Sequence, residues 1–517
     1  MPEYLTPGVY IEEFEIGAKP IEGVSTSTAG FLGITERGPT VPDLVTNWLD
    51  FQRKYGSYFP GSFLAYAVEG FFTNGGQRCF IGRITASDAQ KTTLKLTAGG
   101  SNALTVEAVG EGSWGSRIIV KVGTGTQSTV VNPLFSLIVF YWKDKLPETM
   151  FDPETDKTSK PRPTLSEVFD NLSVIPSSPD YYELRVNGIS NFIEISRKDG
   201  EDSGDKPDGP AEVTPLEGTD LDGAAPVGPE DFKRDKPEDD VPGKRKGLTA
   251  FEEIDEISIV YVPNAVDGVV KAVIAQCEKL KDRFAIIDVK EGQSKIGDLK
   301  PRDANDTKYA AFYYPWIKIL DPVTGTEKRI PPGGHVAGIY ARSDVERGVH
   351  KAPANEVVRQ AMDLEFQITK EEQGILNPRG VNVIRAFPGR GIRVWGARTL
   401  SSDTLWKYIN VRRLFIYVEE SIEEGTQWVV FEPNNEKLWA RVRATITQFL
   451  TRVWKDGALM GTKVEEAFFV KCDRSTMTQD DIDNGKLICI IGIAPVKPAE
   501  FVIFRIAQWA GGSSTKE

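Results

Sequence analysis

Few residues in this chain have the type and spacing that reaction chemistry requires. Only two histidines occur, His335 and His350. A histidine acting as general base in acyl transfer needs a nucleophile at a constrained helix start, a carboxylate to orient the imidazole and an oxyanion donor. His335 sits in Gly-Gly-His-Val-Ala-Gly338, but no Gly-Thr-Ser string supplies a nucleophile, and Met460-Gly-Thr-Lys463 has lysine where serine would stand. The cysteines Cys79, Cys277, Cys472 and Cys489 are far apart in sequence, with no CxxC spacing. Neither a zinc site nor a disulfide framework is indicated, and buried reduced thiols are expected. Asp480-Asp481-Ile-Asp483 lacks the glycine and terminal glutamate of a calcium loop and reads as a helix start. Gly75-Gly76 lacks the lysine and spacing of a phosphate loop, and Pro388-Gly-Arg-Gly391 runs into a strand instead of a helix, so both read as tight turns. No catalytic residue, metal site or cofactor is expected.

Elements that position side chains for assembly are easier to find. Residues 1–30 alternate at Val9-Tyr10-Ile11, then pass Gly17, Pro20 and Gly23 without a hairpin turn, which predicts an extended arm ahead of a first core strand at Ala29–Ile34. Helical spacing from Asn47 to Asn74 predicts two helices about a turn, and Gly75–Ile84 a short buried strand. Thr/Val/Leu alternation predicts a β-rich module over 90–200. From 199 to 247 Phe232 is the only aromatic residue among Gly, Pro, Asp, Glu and Lys, so a flexible acidic loop is expected over 201–250. The run Ile257–Val262, a helix at Val266–Lys279 and the run Phe284–Val289 have the spacing of a βαβ unit in a parallel sheet. Tyr309–Leu320 is read as a third strand, and the glycines after Pro331 as leading into a helix.

Near the end, Leu438, Val442, Ile446, Phe449 and Val453 form an apolar stripe, with Lys437, Arg441, Gln448, Arg452 and Lys455 opposite. Asn434 or Asn435 is placed to cap this helix and Gly457 to stop it. Ala467–Cys472 and Gly485–Ala494 read as two strands. A last apolar run, Glu500–Trp509, has no evident local partner, and an unpaired strand edge recruits another strand.

Composition sets the class. With 517 residues, 40% hydrophobic, the chain can build several cores. A net charge of -12 without a basic tail gives no reason to expect nucleic-acid binding. No run of about 18 apolar residues could span a membrane, and the first residues lack the basic and apolar blocks of a signal peptide. Residence in the cytoplasm and no direct membrane insertion are expected.

The His335 segment resembles that of subtilisin-type proteases, in a fitting α/β pattern. A wider set of strings resembles the contractile tail sheath proteins of phages and phage-derived injection systems. They are Thr6-Pro-Gly-Val-Tyr-Ile-Glu-Glu13, Pro331-Pro-Gly-Gly-His-Val-Ala-Gly338, Lys351-Ala-Pro-Ala-Asn355, Leu376-Asn-Pro-Arg-Gly-Val-Asn-Val383, Val394-Trp-Gly-Ala-Arg398, Tyr408-Ile-Asn-Val-Arg-Arg413 and Phe431-Glu-Pro-Asn434.

The resemblance implies a non-enzymatic α/β and α+β multidomain chain. Its parts would be an N-terminal arm (1–30), the start of the sheath core (31–89), a β-rich inserted outer domain (90–200), the acidic loop (201–250) and a catalytically dead subtilisin-like domain (251–375). A C-terminal polymerisation and tube-binding domain (376–498) and an arm strand (499–517) would follow. It also implies a helical homopolymer around an inner tube protein, with baseplate and terminator or cap proteins as further partners. Donated strands would carry Val9, Tyr10, Ile11 and Phe14, and Phe501, Val502, Ile503, Phe504 and Ile506. Acceptor strands would carry Phe468, Phe469 and Val470, and Leu487, Ile488 and Ile490. Lys437, Arg441, Arg452 and Lys455 would face the tube. The alternatives are a subtilisin-like serine hydrolase and a non-contractile baseplate or other phage structural protein.

Overall fold

The computed structural model describes residues 20–208, 213–234 and 241–506. The chain divides into a larger unit, residues 25–347 and 353–409, and a smaller one made of 348–352 with the described parts of 1–24 and 410–517. The larger unit begins with β1 (Ala29–Gly33), buried at every residue, as an unalternating apolar run must be when both its faces are covered. β2 (Asp43–Val45) follows, then α1 (Trp48–Tyr55) and α2 (Leu64–Thr73), the two helices expected from the spacing. Asn47 caps α1 by accepting from the Asp50 amide. Gly75, at φ +110, turns the chain into β3 (Cys79–Arg83).

The β-rich module comes next, as expected. It comprises β4 (Thr93–Ala98), β5 (Ser101–Ala108), β6 (Ile118–Thr124), β7 (Phe135–Tyr141), β8 (Leu165–Leu172), β9 (Ile193–Ser196) and β10 (Thr214–Pro215). They form antiparallel sheets in the orders β4-β5-β9 and β10-β6-β7-β8. Leu104, Val106, Val120, Leu137 and Ile193 meet in one shared core.

The described part of 201–250 corrects the expected loose loop. Ser203 and Gly204 donate to the carbonyls of Asn102 and Ala103, Asp208 donates to Thr97, and buried Asp202 accepts from the Thr105 hydroxyl. β10 pairs with β6, and short helices form at Pro229–Lys233 and Gly247–Ala250. Composition predicts poor apolar burial here, but the segment is ordered by backbone hydrogen bonds to strand edges, to which composition is blind.

The main sheet resumes with β11 (Ile259–Tyr261), α3 (Asp267–Leu280), β12 (Phe284–Asp288) and β13 (Ala310–Tyr314). The expected third strand at 309–320 is two strands. Pro315 has no N–H to give a ladder, and β14 (Ile317–Leu320) leaves to pair with β15 (Glu327–Ile330) and, later, β17 (Asp363–Leu364). After α4 (Gly333–Arg347) come β16 (Glu356–Val357), β18 (Val381–Phe387) and β19 (Gly391–Val394). The nine-stranded order is β16-β19-β18-β13-β12-β11-β1-β3-β2, parallel from β18 to β3. β18 lies against β13, so residues up to 409 complete the larger unit, and the expected boundary at 376 moves to 410. Pro388–Gly391 is the tight β18–β19 turn, with Gly389 and Gly391 at positive φ.

α4 crosses α2 at backbone distance. A Cβ on Gly334 would strike the Ala67 backbone, one on Gly338 the Phe71 carbonyl oxygen, and one on Gly70 of α2 the His335 ring. Buried Asn74, just past α2, donates to the Gly70 carbonyl at 2.9 Å and accepts from the Arg359 amide at 2.8 Å. Arg342 of α4 donates to the Asn74 carbonyl at 3.0 Å. In the smaller unit, α5 (Ile409–Gly425) and α6 (Glu436–Lys455) pack with β20 (Phe468–Lys471) and β21 (Ile490–Ile493).

Gly338→Ala is expected to lower stability by about 1–3 kcal/mol, the usual cost of forcing an extra carbon into a close-packed contact. The check is a lower urea midpoint with intact far-UV circular dichroism; an unchanged midpoint would mean the helices can separate freely.

Candidate functional site

His335 lies on α4 and is 0% exposed. Its Nε2 is 3.2 Å from Oε1 of Gln360, and its buried Nδ1 has no hydrogen-bond partner. In a catalytic triad Nδ1 would donate to a carboxylate. The carboxylate at the start of α4 is Asp288, but it accepts from the Tyr261 hydroxyl at 2.5 Å and the Gly333 amide at 2.9 Å. Histidine and aspartate thus meet the same helix start and are bonded to different groups. Burial pushes the imidazole down to about 4 and the Asp288 carboxyl up to about 7, the latter against the opposing pull of its hydrogen bonds. Burial and these separate partners make the histidine structural, as expected. Gln360, which holds a left-handed φ of +73 opposite the imidazole, was missed by sequence reasoning; no local pattern marks it.

The smaller unit holds every described candidate for assembly. α6 starts at Asn435, whose side chain accepts from the Lys437 and Leu438 amides. Gly457 follows its end at φ +81. The expected apolar stripe is buried, joined by Trp439, Thr445 and Leu450. At 100° per residue Lys437, Arg441, Arg452 and Lys455 fall in one exposed row. Two of them have local work: Arg452 donates to the Ile21 carbonyl at 2.6 Å, and Arg441 lies over the Trp428 ring at 4.6 Å. Ile21 is itself 1% exposed in the core of this unit, an anchor that sequence reasoning left within the arm.

β20 and β21 pair antiparallel, which brings Phe468, Phe469 and Val470 beside Ile490–Ile493. Leu487 and Ile488, expected in the second strand, precede it. The carbonyls there are taken by side chains, Lys486 by Asn434 and Ile488 by Thr476, after the helix Gln479–Asp483. That helix has a capping box from Thr478, so the acidic string is a helix start as expected. Phe501–Ile506 carries no strand pairing, and its apolar side chains are 68–95% exposed. Val9, Tyr10, Ile11 and Phe14 lie outside the described residues, as do 507–517. Among the described residues no helix is long and apolar enough to cross a membrane, and no group of His, Cys, Asp and Glu could hold a metal ion.

Two family models match the chain, the phage tail sheath protein central domain over residues 242–400 and the phage tail sheath C-terminal domain over 401–508. Together they cover just over half of it, and their junction falls near the start of the smaller unit. A putative prophage major tail sheath protein of Pseudomonas aeruginosa (strain UCBPP-PA14) is 24% identical over 46% of this chain and 63% of its own length. The tail sheath protein of Salmonella phage ViI is 25% identical over 47% of this chain and 42% of its own. The matches therefore span less than two thirds of these relatives. The helical sheath of the anti-feeding prophage in its contracted state aligns with a TM-score of 0.59 and 25% identity, covering 97% of this chain and 99% of that one.

His335 and Asp288 act in opposite directions on stability. Histidine titrates near 6.5 when unfolded, so its contribution is full above that pH and is lost as pH falls to about 4. The Asp288 contribution is full below about 3.9 and is lost as pH rises through about 7. Between pH 4 and 6.5 the two slopes offset. His335→Gln should make the urea midpoint rise as pH drops from 7 to 4, and Asp288→Asn should make it fall over the same interval. Each change should approach about 3 kcal/mol. Two variants with parallel pH profiles would contradict these assignments.

Proposed function

Because this chain belongs to the phage tail sheath family, a family of structural proteins and not of enzymes, we propose that it is the subunit of a contractile sheath. Subunits polymerise helically around an inner tube protein, with a baseplate at one end and a terminator or cap protein at the other. Contraction then drives the tube through a target envelope. The particle is a phage tail or phage tail-like device put together in the bacterial cytoplasm, with no nucleic-acid binding and no membrane insertion by this subunit.

The observation that carries this reading is the exposed run Phe501–Ile506. Five apolar side chains in water are costly unless a partner covers them. Among the described residues β20–β21 is a two-stranded sheet in which each strand pairs along one edge. A donated strand satisfies the other edge with backbone hydrogen bonds, each of modest net value. We assign Phe501–Ile506 as one donor and Val9–Phe14 as the other, each inserted into a neighbour's sheet. A tethered neighbour stays close while its other contacts rearrange, which is what a contracting lattice needs.

The nine-stranded unit is, in this reading, a subtilisin-like domain without a triad, its histidine and aspartate kept for packing. The β-rich module inserted between β3 and β11 is its outer domain. The basic row of α6 faces the tube, Lys437 and Lys455 supplying screened, breakable attraction while Arg452 also holds Ile21.

Removal of residues 499–517, or of 1–20, is expected to abolish tubes in negative-stain microscopy while leaving a monodisperse, folded monomer. Normal tubes from either truncation would sink strand exchange. Lys437→Glu with Lys455→Glu should prevent co-assembly with the inner tube at unchanged thermal stability. Arg452→Glu should also lower stability by about 1 kcal/mol through the lost bond to Ile21. Full tube binding by the double variant would remove the basic row from the interface.

A further inference from the structure

Cys472 stands just after β20 and Cys489 just before β21. The ladder pairs Phe468 with Ile493 and ends at Lys471 with Ile490, so the next step sets the two cysteines opposite each other. Along an antiparallel ladder, hydrogen-bonded and non-hydrogen-bonded pairs alternate. The Ala494 amide donates to the Ala467 carbonyl at 2.8 Å, which marks that pair as hydrogen-bonded. Counting from it, Cys472 and Cys489 form a non-hydrogen-bonded pair. Such pairs have Cα atoms about 4.5 Å apart with side chains on one face, within the roughly 4.4–6.8 Å that a disulfide spans.

Both thiols are free, and each shifts the titration of the other. Cys489 is half-buried. Cys472 lies in the wall of a surface cavity of about 360 Å³, beside Trp439 and Arg443. Burial raises both thiols, Cys489 to about 12, while the Cys489 S–H and the Arg443 guanidinium pull Cys472 back toward ionisation. Cys472 is 1% exposed, and Cys79 and Cys277, within the larger unit, are 0% exposed.

We propose that Cys472 and Cys489 are a reversible thiol–disulfide site at the open end of the β20–β21 ladder, with hydrogen peroxide as oxidant. The Cys472 thiolate attacks one peroxide oxygen; the S–O bond forms, the O–O bond breaks, and hydroxide leaves to take up the proton the thiol gave. Cys489 sulfur then attacks the Cys472 sulfenic acid. The S–S bond forms, the S–O bond breaks, and water leaves with the Cys489 proton. Two thiols and one peroxide become one disulfide and two waters. The bond closes the loop 473–488 and stops β21 from peeling off β20. If that sheet is the strand acceptor proposed above, oxidation secures it; the disulfide itself does not depend on that reading.

The test uses the purified full chain, treated under native conditions with equimolar hydrogen peroxide, then thiol titration and non-reducing peptide mapping. Two of the four thiols should disappear into one intramolecular peptide link between positions 472 and 489, lighter by two hydrogens and reversed by dithiothreitol. Cys489→Ser should abolish the link and leave a sulfenic acid on Cys472 that dimedone traps. Four thiols still titrating, a link through Cys79 or Cys277, or a link only between chains would each overturn the proposal. The wild-type peptide map decides the matter even where the variant fails to fold. Failure here leaves tube formation untouched, whereas failure of strand exchange is read from the truncations.

Discussion

Two helices of the larger unit meet so closely that glycine is required at three positions of the crossing. Gly334 and Gly338 of α4 rest on the α2 backbone at Ala67 and Phe71, and Gly70 of α2 leaves room for the His335 ring. Much around the crossing follows from it. Asn74 must return its side chain to Gly70 and Arg359, Arg342 must reach the Asn74 carbonyl, and Gln360 must adopt a left-handed backbone to face the imidazole. The string Pro331–Gly338, which looks catalytic in one dimension, is a packing motif. Its histidine is neutral because burial without a charged partner disfavours the imidazolium.

The smaller unit obeys the opposite constraint. Where α2 and α4 pack at backbone distance, β20 and β21 each pair along one edge among the described residues, and Phe501–Ile506 exposes apolar surface. A closed core tolerates no further strand; a two-stranded sheet is incomplete without one. Ile21 is buried in this unit and bonded through its carbonyl to Arg452, which anchors the chain there to α6.

Periodicity alone determined the elements whose pattern is local: α1 and α2, the βαβ unit, the capped amphipathic α6, and the turns at Gly75 and Pro388–Gly391. It also argued against a subtilisin-type triad, since the Gly-Thr-Ser string is missing from the residues themselves. The tertiary structure decided what depends on partners distant in the chain. β18 joined β13, so the unit boundary moved to 410, because a parallel strand is placed by the sheet that buries it and not by its neighbours in sequence. The described parts of 201–250 were held by strand edges that composition does not register. Cys472 and Cys489, unrelated as a motif, became cross-strand neighbours because the register of one short ladder set them opposite. Hydrophobic pattern is written into each segment, whereas register, helix contact and edge pairing exist only between segments; the first could be read from the chain, and the second required the fold.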